Sequence, residues 1–445
     1  MSHEVSQHKV WNAPFDVNMR LVQGMLSLGL GYSAFEKFCM NMNLNIMSSR
    51  TFNFYKKKKI LDGHLFAANR MLFNIRKEAY GSRNDNDVID IGVSYDGSWL
   101  TRTHTSNIRI GCVIDLLTGF VIDFQVCQSV VKNVSRLNWP LAKMLLNSIF
   151  GMKALENFAA SHMSGHLARW KSKAAIKLWE RSESIGFRYT SLLSDGDSKA
   201  FLELNERKIY GSQVEIKKEE CINHVSKRLG TALRKTLKDW RVKGVTLWDK
   251  KHGNLKEETI KKLTRYYANA IRKNKDDIED MKTAIYATLS HSISTDKKPQ
   301  HKKCPSGEDS WCFYQSALAR GKKPGAHKDW VETPTNEKHL CKILPIYQRL
   351  ASTDLLSTCV RGSTQNSNEA LHSMIWNNCS KENSASRNRV LTSVSNAIYE
   401  YNVGTLKTLE TFQGINCLPT SSTSNHLANF TDYRRTYFRN KICEI

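Results

Sequence analysis

Three β-rich segments joined by short connections constrain the fold of this chain more than any other feature. They span Val88–Tyr95, Asn107–Leu116 and Phe120–Cys127, with a turn at Leu117-Thr118-Gly119. Short runs of β-branched, aromatic and apolar residues, bounded by glycine and polar residues, are typical of strands. Strands that follow each other through such short connections pair in antiparallel fashion, so the sequence predicts a three-stranded meander.

The segments after the meander alternate between helix and strand. Residues 137–186 and Cys221–Trp240 have helical periodicity, whereas Phe187–Leu193 and Gln213–Ile216 are the predicted fourth and fifth strands. Three strands, helix, strand, helix, strand, helix is the order of elements in a ribonuclease-H-like domain. The sequence therefore predicts an α/β fold with a mixed five-stranded sheet.

Helical sequence flanks this core on both sides. Residues 15–80 have apolar residues at three- and four-residue steps, and Ser48 or Ser49 is a predicted helix cap. Two helices followed by lysine-rich sequence fit a DNA-binding helix-turn-helix or a plain helical support. Residues 254–350 are helical and basic, interrupted by a Pro, Cys and Gly stretch at 299–312.

These patterns divide the chain into five predicted parts, with a polar linker at 81–87 as the first boundary. The parts are an N-terminal helical region (1–80), the core (86–240), a basic all-helical insertion (241–360), the final core helix (361–405) and a C-terminal tail rich in Ser, Thr and Asn (406–445).

The charge of the chain points to a polyanionic partner. Its 66 Lys and Arg against 42 Asp and Glu give a net charge of +24. A field of this sign attracts nucleic acid or an anionic membrane. No uncharged apolar run approaches the roughly 20 residues of a membrane span, and no basic amphipathic helix with a broad apolar face is present, so nucleic acid is expected and a membrane is not.

The cysteines and the N-terminus indicate the compartment. The eleven cysteines are odd in number and scattered, which fits a reducing compartment better than a disulfide framework. The polar N-terminus has no signal-peptide core. The four lysines Lys56–Lys59 resemble a nuclear import signal, although such runs are often solvated helix ends. We therefore expect the protein in the nucleus.

Three carboxylates are the candidate catalytic groups. Asp96 and Asp195 each end a predicted strand, and Glu369 stands in the first turn of the predicted helix Asn366–Trp376. Alone, each has an ordinary explanation, because Asp-Gly is a turn dipeptide and an acidic residue suits a helix start. Together they match phosphodiester cleavage by two divalent cations about 4 Å apart, with Mg²⁺ or Mn²⁺ bound through carboxylate oxygens. Asp197 is the alternative second aspartate.

A second group of residues has the chemistry of a zinc site. Cys221 and His224 lie three apart, on one face of a predicted helix. As half of a site they require two more ligands, for which His301, Cys304 and Cys312 are the candidates. Buried thiols without metal are the alternative explanation for Cys304 and Cys312.

An ordered series of motifs over some 300 residues resembles the Mutator-like and Kolobok-like DDE transposases. It comprises Tyr95-Asp96-Gly97-Ser98-Trp99, Asp195-Gly196-Asp197-Ser198-Lys199, Cys221-Ile222-Asn223-His224, Cys304-Pro305-Ser306-Gly307-Glu308-Asp309-Ser310-Trp311-Cys312 and Thr364-Gln365-Asn366-Ser367-Asn368-Glu369.

The resemblance implies a ribonuclease-H-like core with an all-helical insertion, in which Asp96, Asp195 and Glu369 hold two magnesium ions. It implies that Cys221 and His224 support the site or the DNA. Water would nick double-stranded DNA at an element end, and the freed 3′-hydroxyl would attack target DNA. Cutting two ends in concert implies a homo-oligomer. Basic residues of the insertion would hold DNA phosphates, namely Lys261, Lys262, Arg265, Arg272 and Lys273.

The chain departs from its relatives in two places. Relatives often carry extra cysteines after the third strand and a Met-Glu pair in the next helix, where this chain offers Cys127 and then Trp170-Lys171. It also lacks the N-terminal Cys and His array that begins many relatives. Three other functions therefore stay open: a transposase-derived DNA-binding protein without catalysis, a metal nuclease for RNA or structured DNA, and a zinc-stabilised interaction module.

Overall fold

The structure is a computed structural model. It describes residues 16–80, 88–100, 108–128, 170–195, 198–242, 255–331, 333, 335–379, 385–408 and 432. Four predictions lie outside these residues, namely the linker at 81–87, the helix before residue 170, Asp197, and the tail after 415. Among the described residues, no helix combines the length and apolar character needed to cross a membrane.

Residues 16–80 are mainly helical, as their periodicity predicted. It contains α1 (Asp16–Ser27), α2 (Tyr32–Asn41), α3 (Ser49–Phe54), a π-helical turn (Tyr55–Ile60) and α4 (Leu61–Tyr80). The Ser48 side chain caps α3 by accepting a hydrogen bond from the Thr51 backbone N–H at 3.1 Å. The first helices pack around a core that includes Val22, Phe35 and Phe52. The four-lysine run lies within the π-helical turn.

A five-stranded sheet forms the core, which confirms the predicted α/β class with a mixed five-stranded sheet. The strands are β1 (Ile89–Trp99), β2 (Ile108–Asp115), β3 (Val121–Gln128), β4 (Phe187–Ser194) and β5 (Lys217–Glu220), in the order β3-β2-β1-β4-β5. The strands β1, β2 and β3 form the predicted antiparallel meander, whereas β4 and β5 are parallel, so the sheet is mixed.

The first strand is longer than predicted, and Asp96 lies inside it. Asp96 pairs with Cys112 of β2, and the pairing continues through Trp99 opposite Arg109. Gly97 and Ser98 are buried in this ladder. The prediction that the strand ends before Asp96 was therefore wrong, because pairing with β2 overrides the turn preference of Asp-Gly.

The fifth strand begins four residues later than predicted, at Lys217. The predicted segment Gln213–Ile216 is a loop that Asn205 anchors, since its side chain bonds both the N–H and the C=O of Ile216 at 3.2 Å. The strand itself reads Lys-Lys-Glu-Glu. Its charged side chains have partners, for example a 2.5 Å hydrogen bond from the Ser191 hydroxyl to Glu219, and this explains how so polar a segment forms a strand.

The remaining helices include those predicted after each strand. They are α5 (170–182), α6 (Ser198–Arg207), α7 (Ile222–Val242), α8 (Glu257–Lys273), α9 (Ile278–Ser292), α10 (Phe313–Ala319), α11 (His327–Trp330), α12 (Leu340–Leu350), α13 (Thr353–Ser357), α14 (Asn366–Asn378) and α15 (Arg387–Val403).

The chain divides into two compact units. Unit 1 comprises residues 1–190, 199–216 and 366–445, and unit 2 comprises residues 191–198 and 217–365. The core of unit 1 joins β2 residues such as Ile110 to α14 and α15. The core of unit 2 is helical and is built from α7, α8, α9 and α12. Each candidate functional residue belongs to one of these two units.

Candidate active site and metal centre

Asp96 sits among three elements of unit 1. Its Oδ1 accepts a hydrogen bond from Lys171 Nζ of α5 at 3.1 Å. Its Oδ2 lies 3.6 Å from Nδ1 of His372 on α14. The Asp96 side chain is 23 % exposed and that of Lys171 is 18 % exposed. The carboxylate is therefore half-buried between a lysine and a histidine, and it still reaches solvent.

Two more contacts bind α14 along β1 on either side of Asp96. The Ser94 hydroxyl donates to the side-chain oxygen of Asn368 at 2.5 Å, and the indole N–H of Trp376 donates to the Ser98 hydroxyl at 2.8 Å. Alternate strand residues share one face of a sheet, and helix residues four apart share one face of a helix. The helix consequently has one defined register on the strand.

Glu369 takes its position from this register. It follows the buried Asn368 directly and precedes His372 by three residues, about one helical turn. Its own side chain is exposed. Glu369 is thus an accessible carboxylate on α14, one turn before His372, the residue that faces Asp96.

Asp195 follows the last residue of β4, as predicted. Ser194 is still paired with Glu220 of β5, so Asp195 is the first residue beyond the ladder of unit 2. Its side chain is partly exposed. An aspartate at the carboxyl end of a parallel strand is in a common position for catalytic residues in α/β proteins.

Cys221 and His224 occupy the start of α7 and have different surroundings. The Cys221 thiol is buried and accepts a hydrogen bond from the backbone N–H of Gln365 at 3.4 Å. His224 lines a cleft of about 640 Å³ within unit 2. Neither residue belongs to the Cys and His cluster described below.

The cleft beside His224 is strongly basic. Four of the residues that line it are cationic and none is acidic; the cations are Lys227, Arg228, Lys235 and Arg349. Arg228 also pairs with Glu220 at 2.6 Å. A concave surface with this charge favours an anionic ligand.

The predicted DNA-contacting residues lie along α8. Lys261, Arg265 and Lys273 are exposed, whereas Lys262 is partly buried. Arg272 donates hydrogen bonds to Asn223 at 2.7 Å and to Asn269 at 3.3 Å. Arg272 therefore contributes to the packing of α8 against α7.

Four buried side chains of unit 2 form a candidate metal centre. They are His291, His301, Cys304 and Cys312, and one ligand atom from each lies within 4.8 Å of the others. This is the only group of three or more potential ligands of this kind in the part of the chain that the structure describes. His301, Cys304 and Cys312 were predicted, and the structure adds His291.

Sequence reasoning missed His291 because it lies ten residues before His301 at the end of α9, outside the Pro, Cys and Gly stretch. Within the cluster, the hydrogen bond between the two thiols raises the pKa of Cys304 and lowers that of Cys312. The imidazoles of His291 and His301 lower the pKa of Cys312 further. Cys312 is therefore the more acidic of the two thiols.

One comparison with known proteins identifies a family. A search of curated proteins found no match to the chain. The model of the family described as Mutator-like transposase matches residues 1–312, well over half of the 445 residues. The match includes Asp96, Asp195 and the Cys and His cluster, and it ends before Glu369. The chain belongs to the Mutator-like transposase family.

Proposed function

We propose that the protein cuts DNA at the ends of a transposable element and joins them to target DNA, using Asp96, Asp195 and Glu369 as ligands for two divalent cations. The observation that carries this proposal is the placement of α14. Its His372 faces Asp96 at 3.6 Å, and the same helix presents Glu369 one turn earlier.

The strand order supports a ribonuclease-H-like core. A meander of three antiparallel strands followed by two strands on the side of β1 is the arrangement expected from the order of elements. Ile89 N–H donates to Gly186 C=O at 3.0 Å, so the segments that enter β1 and β4 are neighbours within unit 1. Asp195 follows β4, which adjoins the strand that carries Asp96.

The donor set fits Mg²⁺ or Mn²⁺, which prefer carboxylate oxygens and retain several waters. Asp96, Asp195 and Glu369 all have solvent-accessible side chains. Bound cations would activate the attacking oxygen and stabilise the leaving oxygen of an in-line displacement. Lys171 Nζ lies 3.1 Å from one oxygen of Asp96, and His372 Nδ1 lies 3.6 Å from the other oxygen.

Double-stranded DNA is the proposed substrate. The exposed cations of α8 and the basic cleft beside His224 provide two surfaces of unit 2 for backbone phosphates. Phosphate contacts release counterions, so we expect DNA affinity to fall steeply as salt rises. Concerted cutting of two element ends would require at least two copies of the chain.

The test is cleavage and joining of labelled DNA carrying the element's ends, with Mg²⁺ or Mn²⁺. We expect Asp96→Ala, Asp195→Ala and Glu369→Ala each to lose metal-dependent nicking and joining while retaining DNA binding. Asp90→Ala is the matched control, because Asp90 lies on the same strand with an exposed side chain paired to Arg188, and it should cut normally.

Three outcomes would contradict the proposal. DNA binding with no cleavage by the wild type under either metal would indicate a non-catalytic descendant of a transposase. Hydrolysis without any strand joining, or a preference for RNA, would indicate a nuclease. Full activity of any of the three alanine variants would remove that residue from the site.

A further inference from the structure

We propose that His291, His301, Cys304 and Cys312 bind one structural zinc ion that organises the segment between α9 and α11. The four side chains are buried and come from the last turn of α9, the following loop and the residue that precedes α10. This inference is independent of the proposed catalytic carboxylates, because none of those residues takes part.

The distances within the cluster match a tetrahedral zinc site. Cys312 Sγ lies 3.3 Å from Nδ1 of His301, and Cys304 Sγ lies 3.9 Å from the same atom. Cys304 Sγ lies 3.8 Å from Nδ1 of His291. With Zn–S near 2.3 Å and Zn–N near 2.0–2.1 Å, the S···N edge of a tetrahedron is about 3.6 Å. The ligand atoms therefore already have the spacing that zinc requires.

The surroundings of His301 point independently to a metal on its Nδ1. Its Nε2 lies 2.9 Å from Nε2 of His327 and 2.9 Å from the Ser294 hydroxyl. Nδ1 of His327 in turn lies 2.7 Å from Oδ1 of Asp296. If His301 Nε2–H donates to His327 and His327 Nδ1–H donates to Asp296, the lone pair of His301 Nδ1 is left facing the thiols. A carboxylate and a second imidazole in this arrangement orient a metal-binding histidine.

The apolar core of the segment is small. Its hydrophobic cluster consists of Ala287, Cys304 and Cys312, with Tyr314 packed against them. Between α9 and α10 the described backbone contains a single isolated bridge, Thr295 to Lys298, and no helix or strand. Small segments with so few buried apolar residues commonly depend on a metal or a disulfide.

The ligand set selects zinc and a structural role. Two thiols and two imidazoles favour zinc over magnesium, which prefers oxygen ligands. Four protein ligands complete a tetrahedral shell and leave no position for substrate, as in structural rather than catalytic zinc sites. The site is also distinct from the earlier pairing with Cys221 and His224, whose side chains have other surroundings.

The first test measures bound metal in the purified full chain, by mass spectrometry of the metals. We expect about one zinc per chain in the wild type, consistent with a single four-ligand site. Cys304→Ser and Cys312→Ser should reduce the zinc content by at least about tenfold. Cys341→Ser is the matched control, because Cys341 is an exposed thiol outside the cluster, and it should retain full zinc.

A second measurement uses the wild type alone, because the serine variants can also unfold. Replacement of zinc by Co²⁺ should give the visible bands of a tetrahedral ion and a thiolate charge-transfer band. Removal of the metal by a chelator should expose residues 293–326 to protease, and Zn²⁺ but not Mg²⁺ should restore protection.

Two results would overturn the proposal. One is a wild-type protein with less than about one fifth of a zinc ion per chain and no tetrahedral Co²⁺ spectrum. The other is full zinc content in both Cys304→Ser and Cys312→Ser. Neither measurement depends on DNA cleavage, so failure of the zinc site and failure of the transposase mechanism are distinguishable.

Discussion

Lys171 and a divalent cation should compete for Asp96, and Lys171→Met should therefore tighten metal binding. The ammonium lies 3.1 Å from Oδ1, and both side chains are about one fifth exposed. Fully exposed pairs contribute about 0–1 kcal/mol, while the Coulomb energy at this distance with an effective dielectric of 20 is about 5 kcal/mol before desolvation. We take about 1–2 kcal/mol as the net interaction that a metal must displace.

This interaction energy corresponds to a change of roughly 5- to 30-fold in affinity, since 1.4 kcal/mol is a factor of ten. Electron paramagnetic resonance of free Mn²⁺ would measure the dissociation constant for the wild type and for Lys171→Met. Lys173→Met is the matched control, because Lys173 is an exposed lysine on the same helix, and its dissociation constant should equal that of the wild type.

An unchanged Mn²⁺ affinity in Lys171→Met would refute the competition. A weaker affinity would refute it more strongly, because it would mean that the lysine positions the carboxylate for the metal.

Two further predictions concern buried ionisable side chains of unit 1. Arg181→Met should destabilise the protein by about 1–3 kcal/mol at pH 7.5, because it leaves the buried Asp123, now bonded at 2.7 Å, without its cation, while solvent screens the 39 % exposed Arg181. Burial raises the pKa of Asp123 above its ordinary value of 3.8, so protonation should narrow the loss of stability when the pH is lowered to about 4. Equal losses in urea unfolding at the two pH values would contradict the reasoning. Burial lowers the pKa of His64 from 6.5 to about 4. The neutral ring therefore stabilises the folded state above pH 6.5, and this contribution of about 3 kcal/mol is lost as the pH falls from 6.5 toward 4. His64→Gln should reduce the change of the unfolding free energy with pH in that window. If the unfolding free energies of the variant and the wild type, measured in urea, changed equally with pH, His64 would not be the cause.

Sequence patterns predicted the elements that are long and regular. The apolar strands of the meander, the helix after Cys221 and the helix carrying Glu369 lie close to their predicted positions. Their periodicity reflects burial of one face, which the sequence displays directly. The N-cap of α3 was also predictable, because Ser48 can satisfy an N–H that the helix leaves unpaired.

The errors arose where distant residues decide the local structure. Asp96 and Gly97 carry a turn signal, but their ladder partners on β2 extend the strand. The Lys-Lys-Glu-Glu sequence of β5 lacks the alternation of apolar and polar residues that is typical of strands. Ion pairs with residues such as Arg228 and Arg361 compensate its charges instead. Arg361 and the β2 residues are remote in sequence, so no local pattern reveals these partners.

Two residues of the candidate sites were missed for the same reason. Lys171 reaches Asp96 from 75 residues away, and its pair with the carboxylate has no signature in the sequence. His291 joins the Cys and His cluster only because α9 ends beside the loop. Ligand spacing indicated His301, Cys304 and Cys312 as candidate ligands, while the fourth candidate, His291, required the fold.

The three contacts between β1 and α14 have a consequence for how this chain can change in evolution. Because Asn368, His372 and Trp376 are held by the strand, the helix does not depend on the length of the polypeptide that precedes it. The entropy of closing that intervening chain grows slowly, by only about 0.6 kcal/mol for each doubling of its length. The helices that follow β5, within residues 222–365, can therefore be gained or lost, and binding surfaces with them, while Glu369 stays in place.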